Sequence, residues 1–372
     1  MIDAPPYLLR DPESIPSPSF LVFRDLVAGN LDAMIRIAGG VDRLRPHAKT
    51  HKSARVIQMA LERGITKHKC ATIAEAEMLA EAGAPDVLLA YPLVGPNVGR
   101  FVRLAAAFPT TTFRAVVDAP EHVRALSDAA ATLDRPIPTL IDLDVGMGRT
   151  GIESGIGAEA VYQEIERKPH LAADGIHAYD GHVSESDPAV RARRAEEVHE
   201  IVAQFRDRLS SRGLPVPRLV IGGTPAFPMH AGFEAPGVEC SPGTVVYHDY
   251  NYKSRYPDLP FTPAALLLTR VVSSPRAGRL CLDLGHKAVA ADPAGLRAFF
   301  PALPDARPVG HSEEHLVLET PNADRFPIGT PLLAIPAHVC PTSALHRSAH
   351  VVVDGRVVDE WETTARDRRL RF

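Results

Sequence analysis

The sequence predicts an α/β chain, a (β/α)8 TIM-type barrel followed by a mostly antiparallel β domain. Between residues 25 and 256, short β-branched or apolar runs alternate with runs of helical period, the pattern of successive βα units around a parallel sheet. Eight strand candidates fall within that span, which matches the usual length of one barrel better than an open doubly wound sheet. After Pro257 the texture changes to alternating apolar and polar runs broken by glycine and proline. The expected division is 25–256 for the barrel, with 1–24 and 257–372 forming the β domain.

The barrel strands are expected at residues 43–49, 65–71, 86–91, 111–117, 138–145, 175–179, 218–223 and 237–241. Local signals place the helices between them. Thr72 with Glu75 makes a capping box, Asn97 is placed to cap the next helix, and Asp187-Pro188 opens a long helix that Gly213 ends. In the β domain, strands are expected at 264–273, 279–284, 315–319, 332–339 and 350–360, with Asp354-Gly355 as a hairpin turn. The early run 19–23 is not needed by the barrel and is expected to pair with that sheet.

Composition narrows the function classes. With 45% hydrophobic and 23% charged residues, the 372-residue chain is globular, which excludes disordered, collagenous and fibrous classes. A net charge of -4 gives no basic field to attract nucleic acid or a membrane surface, so the expected partner is a small-molecule substrate. Four cysteines without paired spacing fit a reducing compartment. The opening Met1-Ile2-Asp3-Ala4-Pro5-Pro6 has no basic region ahead of an apolar one, and no run approaches the roughly 18 apolar residues of a membrane span. The expectation is a soluble, cytoplasmic protein.

Polar clusters fall at the C-terminal ends of the strand candidates, where barrel enzymes build their sites. The first strand reads Arg45-Pro46-His47-Ala48-Lys49-Thr50-His51-Lys52, and strict alternation puts Arg45, His47, Lys49 and His51 on one face. Basic residues on a buried strand are costly, and an amine there is suited to Schiff-base chemistry. The fifth strand runs into the glycine-rich turn 146–151, which projects Arg149. The sixth is followed by Tyr179, Asp180, Gly181 and His182, a phenol and a titratable imidazole. The seventh ends in Gly222-Gly223-Thr224, whose N-H groups and hydroxyl suit a phosphate. A lysine, a phosphate cradle and an arginine together suit pyridoxal 5'-phosphate. In the β domain, Pro336-Ala337-His338-Val339-Cys340-Pro341-Thr342 sets His338 and Cys340 on one side of an extended strand, two ligands for a divalent ion with open positions. Cys70, Cys240 and Cys281 lie on strand candidates and are read as core.

In this order, these elements resemble the D-threonine aldolase and D-serine dehydratase family, along nearly the whole chain. The resemblance implies an alanine-racemase-like barrel with pyridoxal phosphate and a C-terminal β domain. It implies Lys49 as the cofactor lysine, Arg149 at the phenolic oxygen, Tyr179 near the pyridine ring, and Gly222, Gly223 and Thr224 at the phosphate. It further implies His182 as base, His338 and Cys340 as ligands to zinc, manganese or magnesium, Tyr247 and Asp249 close by, and a homodimer. Two signals point apart: Cys340 stands where aldolases of the family tend to carry an acid and is the dehydratase form, whereas the segment 178–182 is aldolase-like. The leading reading is retro-aldol cleavage of D-threonine-type substrates, and the alternative is a D-serine or 3-hydroxyaspartate dehydratase using the same residues. A non-catalytic pyridoxal-phosphate carrier does not need the His338 and Cys340 pair, and a sugar-phosphate aldolase with an unmodified lysine would show no cofactor absorbance. The second base of an alanine racemase has no recognisable motif here.

Overall fold

A computed structural model describes residues 1–292 and 294–372. The chain forms two compact units. One comprises Met34–Lys49, Ala54–Gly243 and Asp367–Phe372, and the other Met1–Ala33, Thr50–Ser53 and Thr244–Arg366. The first helix, Arg24–Ala38, begins in the β unit and ends in the barrel unit.

In the barrel unit, Lys67–Cys70, Asp86–Leu89, Thr112–Val117, Ile137–Asp144, Leu171–Ala178, Leu219–Ile221 and Val238–Cys240 pair side by side in that order, all parallel. The expected strand at 43–49 is not a regular strand. Leu44 bridges Cys240 and His47 bridges Lys69, so the segment touches both edge strands and closes the ring with two isolated bridges. Pro46 has no N-H to donate, and turn backbone follows from Ala48, which is why the ladder stops. Thr72 Oγ1 accepts from Glu75 N-H at 3.1 Å, and the Glu75 carboxylate accepts from Ala71 N-H at 2.7 Å, capping Ile73–Glu81. Asn97 does not cap its helix. Pro96–Ala107 is capped by Gly95, and Asn97, inside the first turn, accepts from Arg100. Asp187 accepts from Ala189 and Val190 N-H at the start of Pro188–Ser210, and Gly213 ends that run at φ 74°.

The lower barrel interior holds an ion layer. Arg45 is fully buried, donating to Glu239 at 2.6 Å and Asp86 at 2.7 Å. Arg114 bonds both oxygens of Asp86 and also Asp174, which binds Arg218 in turn, while Lys67 reaches Glu239 at 2.9 Å. Burial alone works against the Arg45 charge, but Glu239 and Asp86 outweigh it and hold the guanidinium above its ordinary value.

In the β unit, Ser19–Phe23 pairs antiparallel with Ala265–Ser273 and parallel with Ser348–Val353, as its apolar run anticipates. Arg279–Leu282 and Leu316–Glu319 extend the sheet on one side, and Pro331–Pro336 also pairs with Ala265–Ser273. The run 350–360 forms the expected hairpin, Ser348–Val353 and Arg356–Glu362, turned by Asp354 and Gly355 at φ 48° and 75°. Leu21, Phe23, Leu266, Leu268, Leu333 and Ile335 form the core with Tyr7 and Leu9 from a short N-terminal hairpin. Cys70 and Cys240 are buried on their strands, but Cys281 is half-buried and so is not core. Among the described residues, no helix is long and apolar enough to cross a membrane.

Candidate active site

Tyr179 organises the barrel mouth. Lys49 Nζ lies 5.5 Å from the centre of its ring, Arg149 Cζ 4.8 Å and Lys69 Nζ 5.8 Å. The expected single face of Arg45, His47, Lys49 and His51 is not observed, because alternation ends where the turn begins. Arg45 points into the ion layer, His47 Nδ1 accepts from Lys49 N-H at 3.2 Å, and His51 Nδ1 accepts from Ser53 N-H at 3.2 Å.

Arg149 is held by the geometry of its turn. The Asp144 carboxylate accepts from Gly146 N-H at 2.9 Å and Gly148 N-H at 3.1 Å, and Gly151 N-H donates to Asp118 at 2.8 Å. Gly151 has φ 100°, and a Cβ there would stand 2.7 Å from the Asp144 nitrogen, so only glycine closes the turn. Thr150 donates to Asp142 at 3.0 Å. His182 packs against Gly146, where a Cβ would stand 2.9 Å from its Nε2, and its Nδ1 is buried without a hydrogen-bond partner.

Gly222 has φ 81°, and a Cβ on Gly223 would come 3.1 Å from the Tyr179 ring. Thr224 Oγ1 accepts from Gly243 N-H at 3.2 Å. The barrel therefore brings Lys49, Arg149, Tyr179 and Gly223 together, beside a turn kept free of side chains.

Sequence reasoning missed the network under Tyr179. The His177 ring shares a 2.6 Å bond with Asp142 through Nδ1, and its Nε2 lies 3.5 Å from Lys69 Nζ. All three are buried. Burial, then the neighbouring Lys49 charge, brings the Lys69 amine down to about 7. The one sequence signal was a lysine inside a strand, but Lys67-His68-Lys69 also reads as a solvated edge.

In the β unit, the expected strand at 332–339 ends at Pro336, and His338 is the N-cap of the helix Val339–Leu345. Pro341 sits in the first turn, where its missing N-H costs nothing, and this favours a helix over an extended motif. His338 and Cys340 still meet. Burial alone would lower His338, but its bonds to Cys340 and Asp292 carry it up to about 9. His338 Nδ1 lies 2.5 Å from Asp292 Oδ2. Cys340 Sγ is 3.2 Å from the hydroxyl of Thr50, the residue after Lys49, and 3.6 Å from that of Thr244. Asp249 accepts from Tyr252 N-H at 2.9 Å and Val339 N-H at 3.1 Å, so it caps one helix and anchors the start of the next; Tyr247 is buried. Among the described residues, no three His, Cys, Asp or Glu side chains converge as a metal site. A nitrogen and a sulfur donor fit a divalent ion that completes its coordination with solvent or substrate.

The chain belongs to the alanine racemase-like family. Residues 24–251 match the family described as alanine racemase, N-terminal domain, and residues 264–352 match a putative serine dehydratase domain. Relatives that match over most of the chain include aldolases and dehydratases. It is 30% identical to D-threonine aldolase of an Arthrobacter species, over 97% of this chain and 96% of that protein. It is 25% identical to D-threo-3-hydroxyaspartate dehydratase of Delftia sp. (strain HT23), over 86% of this chain and 89% of that one. The crystal structure of D-threonine aldolase from Filomicrobium marinum superposes with a TM-score of 0.88 at 27% identity, covering 98% of this chain and 99% of the other. The family supports pyridoxal phosphate as cofactor, and the turn beside Tyr179 has no room for a Cβ, which would meet the His230 ring at Gly222 and the Tyr179 ring at Gly223.

Proposed function

We propose that this chain is a pyridoxal-phosphate- and divalent-metal-dependent lyase that cleaves D-β-hydroxy amino acids of the D-threonine type to glycine and an aldehyde. The observation that carries the reading is the convergence of Lys49, Arg149 and Lys69 on Tyr179, beside the Gly222-Gly223-Thr224 turn. The similarity to D-threonine aldolase of an Arthrobacter species supports it. When bound, pyridoxal phosphate supplies a sink for the electron pair released at Cα.

The residues of the chain do the rest. Lys49 is the amine that would hold the cofactor's aldehyde. Arg149 and the 222–224 turn would bind its anionic groups beside the Tyr179 ring. His338 and Cys340 are the proposed ligands of a divalent ion, and a coordinated hydroxyl is a stronger acid than a free one. His182 is the proposed acceptor of the β-hydroxyl proton. Its unpartnered Nδ1 and its seat on Gly146 leave the ring without a competing structural bond at that nitrogen.

A dehydratase is the second reading, favoured by one observation: the ligand two residues after His338 is a thiol rather than an acid. Product analysis decides between the two. With D-threonine, pyridoxal phosphate and manganese, magnesium or zinc, the aldolase reading expects glycine and acetaldehyde. 2-Oxobutyrate and ammonia would replace it with the dehydratase. Lys49→Ala is expected to lose the borohydride-stable attachment of the cofactor, and a variant that keeps it removes Lys49 from its role.

A further inference from the structure

The glycine turn at the end of Leu219–Ile221 rests on a buried histidine that the proposed function does not use. A Cβ on Gly222 would stand 2.2 Å from the His230 ring, so that ring is in direct contact with the backbone of the turn. His230 has no exposed surface, and its two nitrogens are both engaged. Nε2 lies 2.6 Å from Asp180 Oδ2, and Nδ1 lies 2.8 Å from His199 Nε2.

The order of protons follows from the partners. A carboxylate only accepts, so His230 donates through Nε2 and its Nδ1 bonds to His199. Burial brings the half-buried His199 down to about 4, so its ring is neutral, and one proton is shared between His199 Nε2 and His230 Nδ1. The His199 ring is stacked on Phe233, with centres 4.1 Å apart and planes 6° from parallel, which fixes the outer end of the chain. Asp180 at the inner end directly follows Tyr179, and its Oδ1 lies 3.8 Å from where a Gly223 Cβ would be. The buried Asp180 and His230, with the half-buried His199 at the outer end, thus pack against both glycines.

We propose that His230, oriented by Asp180 and His199, is a positioning residue that sets the Gly222–Thr224 backbone for a phosphate monoester. This rests on the reading of that turn as the cofactor's phosphate cradle. Backbone N-H groups bind a phosphate well only when they point at one spot; the Gly222 N-H is spent on the Ala178 carbonyl at 3.0 Å, and that bond with the flat His230 ring holds Gly222 at φ 81° and so sets the direction of the N-H groups that follow it. A smaller side chain leaves the turn unsupported, while an aliphatic one lacks the two bonds that orient the ring.

The test uses the full chain freed of cofactor and two probes, 4-deoxypyridoxine 5'-phosphate and 4-deoxypyridoxine. Neither has an aldehyde, so binding is independent of Lys49 chemistry. Equilibrium dialysis is expected to show a strong preference of the wild-type chain for the phosphorylated probe. His230→Leu is expected to cut that preference at least tenfold while leaving the affinity for 4-deoxypyridoxine within twofold, and His230→Gln, which still donates to Asp180, is expected to restore most of it. Equal preference in His230→Leu and wild type overturns the proposal, as does an equal loss for both probes. A wild-type chain with no preference overturns the cradle reading itself. If His230→Leu does not fold, His199→Phe, which leaves the His230 ring in place but removes its outer bond, is expected to lower the preference about threefold to tenfold. An unchanged value there also overturns the proposal.

Discussion

Lys69→Met is expected to make the protein more stable and the mouth of the barrel less cationic. Lys69 is buried beside Lys49, and its amine falls from an ordinary 10.5 to about 7. That fall corresponds to about 5 kcal/mol of penalty on the charged form in the native state. Methionine fills a similar volume without a charge, but its use forfeits the contact with His177, about 2 kcal/mol for a bond to a charged group. The net expectation is about 3 kcal/mol of stabilisation at pH 6. The sign with pH follows from linkage. The native value lies below the unfolded one, so from pH 7 to 10.5 the unfolded chain binds more protons, and the wild type gains stability as pH rises through that window. Below pH 7 the penalty is present in full. Urea unfolding at pH 6, 8 and 10 should therefore show the advantage of Lys69→Met shrinking towards zero or reversing. A variant less stable than wild type at pH 6, or a gap that does not change with pH, refutes the argument.

Three further outcomes follow from the geometry. His182→Ala should lower turnover about 100-fold or more with the cofactor absorbance intact, and undiminished turnover would leave His182 as packing against Gly146. Asp292→Asn should weaken divalent-metal affinity about tenfold in competition with a chelator, because Asp292 holds the Nδ1 side of His338; equal affinity would separate Asp292 from the metal. Arg45→Met should destabilise the fold by about 3 to 5 kcal/mol, since it strands the partly buried Asp86 and Glu239 without their shared cation; denaturation at the wild-type midpoint would show that Arg114 and Lys67 suffice.

What the sequence made legible was set by the range of the interaction involved. Strands such as Asp86–Leu89 and Leu219–Ile221 were readable because a strand covered on both faces writes a largely apolar run, whereas Lys67–Cys70 reads Lys-His-Lys and was placed by its spacing in the βα alternation. The run 19–23 was readable as a member of the other sheet for the same reason. The segment 43–49 was not, since its apolar and basic alternation satisfies a strand template while Pro46 denies it the ladder. His338 and Cys340 were found as a pair but on the wrong element, because seven residues starting Val-Cys-Pro carry no helical period. The Lys69, His177 and Asp142 chain draws one residue from each of three strands. No local pattern encodes such a chain; only the register of the sheet does.

That register also explains why a barrel interior tolerates so much charge. In the lower layer, Arg45, Arg114, Arg218 and Lys67 meet Asp86, Asp174 and Glu239, so nearly every cation faces a carboxylate and the layer closes on itself. The upper layer does not close. Lys49, Lys69 and Arg149 all face Tyr179, Asp142 is engaged by His177 and Thr150, and Asp180 is committed to His230. A folded chain that only needed stability would gain by removing one of these cations, as the Lys69→Met argument makes quantitative. What separates the layers is pairing, not net charge: each lower cation touches a carboxylate, whereas the upper carboxylates Asp142 and Asp180 are committed to histidines and leave the cations facing a phenol ring, and that is the physical ground for the proposal that the anionic groups of cofactor and substrate bind at the mouth.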